Sequence, residues 1–110
     1  MQFYRLYMCR LTPWPEEALQ SFLKLSKPVY ERIWGTKSEF EITGNLKSWD
    51  LRDRLKDISL PTLITSGKYD EMTSLITRTL SEGIPNSRWV LFENSAHLSH
   101  MEEPERYIRK

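Results

Sequence analysis

The sequence predicts an α/β fold built on parallel strands, and three observations carry that prediction. Thr62-Leu-Ile-Thr65 and Arg88-Trp-Val-Leu-Phe92 are short runs of β-forming residues bounded by turn residues. Between them, Thr73 to Glu82 sets Leu75, Ile76, Thr79 and Leu80 on one helical side. The first strand is a continuous run without solvent-facing charges, as suits a central strand covered on both faces. Strand, helix and strand within about 30 residues make a βαβ unit, with parallel strands and a right-handed crossover.

The elements follow in chain order. Residues 1–13 are aromatic-rich and suit a helical segment, which the prolines of Thr12-Pro13-Trp14-Pro15 end. Pro15-Glu16-Glu17 opens the next helix, with acidic residues at its N-terminus. Ala18, Leu19, Phe22, Leu23 and Leu25 form its apolar stripe. A short helix from Val29 to Trp34 ends at Gly35, a natural C-cap. Thr36 to Gly44 has no clear period and reads as loop. Trp49 to Leu55 gives one or two helical turns, and Pro61 precedes the first strand. Gly67 allows a sharp turn at that strand's C-terminal end. Gly83 stops the crossover helix, and Pro104 opens a last one. The change of period divides the chain into residues 1–48, helical and loop-rich, and residues 49–110, two βα units. The four tryptophans at 14, 34, 49 and 89 read as packing residues.

Composition excludes several classes. A 39% hydrophobic fraction over 110 residues supplies a core and argues against disorder. Sixteen basic against fifteen acidic residues leave a net charge of +1, without the clustered basic excess of a nucleic-acid binder. No run approaches the roughly 18 apolar residues of a membrane span. Cys9 is the only cysteine, so neither an internal disulfide nor a cysteine-cluster metal site can form. With no signal-peptide pattern after Met1, this fits a reducing compartment, and the cytoplasm is the expected location. The opening Met-Gln-Phe-Tyr-Arg reads like the middle of an element, and the last helix stops after about two turns where three to four are typical. Both ends read as those of a fragment. Open strand edges in such a fragment invite self-association, so an oligomer is among the expected states.

The chemistry-bearing residues lie at strand ends. Asp70 and Glu71 follow the first strand and His97 follows the second. In open α/β sheets, ligands gather at the C-terminal ends of the strands. In a βαβ unit both loops emerge on one rim, so Asp70 can fix the tautomer of His97 and leave its other nitrogen as a general base. The same spacing also suits Asp70 as a cap for the helix near Thr73, and Glu71 as a solvated side chain. His97-x-x-His100 with Glu102 and Glu103 lacks the His-Glu-x-x-His spacing of a helical zinc site, so no metal and no other cofactor is expected.

Longer motifs carry a resemblance. Cys9-Arg10 with Pro13-Trp14-Pro15, Gly35-Thr-Lys-Ser-Glu39-Phe40 and Gly44-Asn-Leu-Lys-Ser-Trp49-Asp50 come first. Leu60-Pro61-Thr-Leu-Ile-Thr-Ser-Gly67-Lys-Tyr-Asp70-Glu71, Ile84-Pro85-Asn86 and Ser95-Ala-His97-Leu-Ser-His-Met-Glu-Glu-Pro104 follow. Together they resemble the α/β-hydrolase family, and more narrowly its proline iminopeptidase (prolyl aminopeptidase) branch. The resemblance implies a C-terminal portion of the hydrolase core over 49–110 and a helical cap segment over 1–48. It implies that Asp70 is the triad acid and His97 the triad base of a serine peptidase acting on peptides with a free N-terminal proline. It also implies that Glu39 and Glu71 bind the substrate's amino group. The family's nucleophile sits in Gly-x-Ser-x-Gly, which does not occur in these 110 residues. The expectation is therefore a chain with two-thirds of a triad, inactive alone. The alternatives are a truncated non-catalytic protein used for binding or assembly, or part of another cap-bearing hydrolase such as an esterase or epoxide hydrolase.

Overall fold

A computed structural model describes residues 2–38 and 40–110. The chain forms two compact units: Met1–Pro15 with Arg52–Lys110, and Glu16–Leu51.

The first unit is built on the predicted βαβ motif. Strand β1 (Thr62–Gly67) and strand β2 (Ser87–Phe92) pair in parallel, in register from Thr62 opposite Ser87 to Gly67 opposite Phe92. Among the described residues this sheet has two strands. Helix α4 (Ser74–Gly83) connects them, and its last turn includes Gly83 instead of stopping before it. A 3-10 helix at Arg52–Asp57 leads into β1, three residues later than the helical turns expected at Trp49–Leu55. Leu55, Ile64 and Ile84 form a buried cluster with Trp89 packed against it. Each such side chain contributes about 1.5–3 kcal/mol when removed fully from water. The Trp89 indole also donates to Ser66 Oγ at 2.9 Å, so a buried hydroxyl is satisfied inside this core. Phe92, at the end of β2, is completely buried. Its ring lies 5.6 Å from Tyr107 of helix α6 (Pro104–Ile108) and 5.0 Å below the Arg106 guanidinium. A four-residue helix α5 (Ser99–Glu102), absent from the sequence reading, precedes α6.

Helix α1 (Gln2–Tyr7) and the residues after it group with this unit rather than with residues 16–48. The reason lies in the backbone. Tyr7 C=O accepts from Glu71 N–H at 3.2 Å, and Met8 C=O accepts from His97 and Leu98 N–H at 2.9 and 3.0 Å. Met8 and Cys9 are buried, and Trp14 donates its indole N–H to Cys9 C=O at 2.9 Å. A boundary drawn from periodicity cannot detect ties of this kind.

The second unit holds helices α2 (Glu16–Leu23) and α3 (Lys27–Ile33). α3 begins two residues before the expected Val29, with Pro28 in its first turn, where a missing N–H costs nothing. Its end is closed as predicted: Gly35 takes φ +114°, a left-handed conformation open to glycine. The chain then folds back to satisfy the last carbonyls. Thr43 and Gly44 N–H donate to Trp34 C=O at 2.8 and 2.9 Å, Asn45 N–H to Arg32 C=O and Leu46 N–H to Ile33 C=O, both at 3.0 Å. The Tyr30 and Trp34 rings stack 6.3 Å apart. Trp49, expected to pack, is 64% exposed.

Candidate active site

The rim at the C-terminal ends of the strands is assembled by backbone contacts between the two loops. Lys68 N–H donates to Phe92 C=O at 2.9 Å, and Tyr69 N–H donates to Ser95 C=O at 3.0 Å. Gly67 is required here by close approach: a Cβ at this position would lie 2.0 Å from Ala96 O and 2.3 Å from Ser95 O. Backbone cannot yield as a flexible side chain can, so the glycine permits the histidine loop to lie against the end of β1.

This frame brings Asp70 and His97 together. Asp70 Oδ1 lies 2.9 Å from His97 Nδ1 and also accepts from Met72 N–H at 2.9 Å. Asp70 does not cap α4, whose N-cap is Thr73 without a side-chain cap bond; one of its oxygens orders the turn before that helix and meets the imidazole. A carboxylate offers only acceptors, so the contact assigns the proton to Nδ1 and leaves Nε2 as the free basic nitrogen. The Asp70 side chain is 7% exposed and the His97 side chain 41%, so the carboxylate is covered while the imidazole is open to solvent. The hydrogen bond to Asp70 raises the His97 pKa above its ordinary value. Partial burial opposes that rise, and the charges of Asp70, Glu71 and Glu102 add to it.

The other predicted residues differ in how they are placed. Glu71 is half-buried, is tied by its backbone N–H to Tyr7, and lies close enough for its charge to act on His97. Glu39 lies outside the described residues. His100 sits edge-on to Tyr107, 5.9 Å between ring centres, on the side of α6. Among the described residues no group of three or more His, Cys, Asp or Glu is placed to hold a metal ion, and no helix is long and apolar enough to cross a membrane.

Two residues that the sequence reading weighed only as metal ligands have another task at the rim. Glu102 accepts from the N–H of Ala96 and of Arg10, and Glu103 accepts from Asn94 N–H and Ser95 Oγ. The available signal was a pair of carboxylates just ahead of Pro104, a few residues from the Asn94 and Ala96 N–H groups that they accept from.

No protein-family model matches the chain. A proline iminopeptidase of Saccharolobus solfataricus is 39% identical over 106 residues, covering 96% of this chain and 34% of that protein. The crystal structure of proline iminopeptidase from Mycobacterium smegmatis superposes with a TM-score of 0.87 at 33% identity, covering 96% of this chain and 36% of the other. The crystal structure of VinJ gives 0.86 at 35% identity, with 97% and 36% covered. The chain thus spans about a third of the length of the relatives it matches, and over that span the parallel strand pair, the helices and the sequence agree with them. By sequence and fold together, this chain has the fold of a C-terminal portion of an α/β-hydrolase, with proline iminopeptidases as its relatives.

Proposed function

We propose that this chain is the C-terminal part of a serine peptidase that releases N-terminal proline from peptides. In this reading Asp70 is the acid and His97 the base of the triad. Residues 16–48 belong to the helical cap segment of such an enzyme. The nucleophilic serine and the oxyanion donors come from the part of the relatives' length that this chain does not span. The observation that carries the reading is the 2.9 Å contact between Asp70 Oδ1 and His97 Nδ1 at the C-terminal ends of two parallel strands. With Nδ1–H engaged, Nε2 takes the proton from the serine hydroxyl as its oxygen attacks the proline carbonyl. The same nitrogen then returns that proton to the departing amine as the peptide C–N bond breaks, and in a second round it takes a proton from water that attacks the prolyl ester and returns it to the serine oxygen as proline leaves. Glu71 fits recognition of the substrate's cationic amine, since a carboxylate near the imidazole also lies near the scissile end of a bound peptide. Glu39 is assigned the same task on the sequence resemblance alone.

The test is a chimera in which this chain replaces the matching segment of the Saccharolobus solfataricus proline iminopeptidase. The expected result is turnover of a proline arylamide by the chimera. That turnover falls by several orders of magnitude in His97→Ala, as for loss of a triad member. A folded chimera with no turnover, or one indifferent to His97, refutes the assignment and favours a non-catalytic role. Glu71→Gln keeps shape but removes charge. It should lower kcat/KM for a free-amine substrate by about 10- to 150-fold, corresponding to about 1.5–3 kcal/mol. An N-blocked ester should lose much less. Equal losses on both substrates contradict the amine assignment.

A further inference from the structure

The loop carrying His97 is fixed on both sides of the histidine, and one of the fixing groups has no task in the reading above. Met8 C=O accepts from the N–H of His97 and of Leu98. Ala96, the residue before His97, is completely buried, and its N–H donates to both oxygens of Glu102, at 3.0 Å to Oε2 and 3.1 Å to Oε1. Glu102 Oε1 also accepts from Arg10 N–H at 2.7 Å. Arg10 lies two residues beyond Met8, so Glu102 joins the loop to the same strip of chain that holds the histidine's own amide.

We infer that Glu102 is a positioning residue that sets the His97 imidazole toward Asp70. The inference rests on the reading of His97 as a general base. A base must be held within hydrogen-bond reach of its partners by groups that are themselves fixed. A carboxylate suits this position because it turns both oxygens to N–H donors and offers no donor of its own. Charge also strengthens each bond relative to a neutral acceptor. An amide at this position keeps one acceptor and aims an NH2 group at one of the two N–H groups. Glu103 acts further back, on Asn94 and Ser95, while its other oxygen meets Arg106 at 3.3 Å.

The experiment reads the His97 tautomer by side-chain nitrogen NMR on the 110-residue chain. It is run near pH 9, well above the ordinary imidazole value of about 6.5. Wild type is expected in the Nδ1–H form. Glu102→Ala should shift His97 to a mixture with the Nε2–H form and remove exchange protection from the Ala96 amide. Glu102→Gln should fall between the two, and it decides the matter if the alanine variant does not fold. Ile64→Val, which trims the core of the same unit, should lower Tm while leaving the tautomer unchanged, as a purely structural loss would. A wild-type tautomer in both Glu102 variants overturns the positioning role and leaves the peptidase reading standing. An Nε2–H tautomer in wild type itself overturns both, so the two failures are distinguishable.

Discussion

Both units of this chain carry many apolar residues, but one of them buries far more of them. Of the eight buried hydrophobic residues among those described, seven lie in the unit formed by 1–15 and 52–110, and Ala18 alone lies in Glu16–Leu51. Leu23, on α2, is 77% exposed. Helices of eight and seven residues are too short to persist on propensity alone and draw their stability from packing. The unit bearing Asp70 and His97 is held by a parallel ladder and by loop-to-loop backbone bonds. The other is held by local turns, chiefly the return of residues 43–46 to the end of α3. Burial is thus concentrated in the unit that holds Asp70 and His97.

The largest expected effect sharpens that contrast. Phe92→Ala empties a fully buried site and should cost about 3–5 kcal/mol. Leu23→Ala removes an exposed side chain and should stay within about 0.5 kcal/mol. Denaturant midpoints read both, and equal losses break the comparison. Next in size is Gly35→Ala. It forces a side chain into a left-handed conformation, at about 1–2 kcal/mol, and sets a Cβ 2.0 Å from Thr43 Oγ1. Hydrogen exchange should show faster amides at 43–46 with the β1 and β2 amides unchanged, because the damage stays within the second unit. Faster exchange along the strands would mean that the two units unfold as one.

The smallest effect concerns pH. The folded-state pKa of His97 is raised, so the Asp70–His97 contact stabilises fully below the unfolded value of about 6.5 and loses its contribution as pH rises through the folded value. Asp70→Asn keeps an oxygen for Met72 N–H and removes the charge. The stability gap between wild type and this variant should therefore narrow as pH rises from the unfolded value of about 6.5 through the folded one. The gap is small throughout, since water screens an imidazole that is 41% exposed. A gap that widens with pH contradicts the assigned direction.

The strands, the crossover helix and the Asp70–His97 pair were legible because they depend on local period and on which rim a βα loop reaches. What was illegible depends on backbone meeting backbone across long separations. Tyr7 and Met8 join the core through carbonyls, which every residue possesses, so their side chains gave no sign of it. Gly67 read as a turn residue, yet it is needed because the carbonyls of Ser95 and Ala96 pass against it, a fact of tertiary approach. Helix α5, with four residues, is too short to show a period. Glu102 read as part of a rejected metal motif, because its partners are main-chain N–H groups that no spacing rule names.

Titration of His97 by NMR in the 110-residue chain tests most directly whether Asp70 and His97 act as one acid–base pair. Wild type should titrate above the ordinary value of about 6.5, and Asp70→Asn should bring the midpoint down, since the hydrogen bond to Asp70 is the largest cause of the rise. The same midpoint in both proteins would contradict the pairing, and with it the assignment of this rim as a hydrolase's acid–base site.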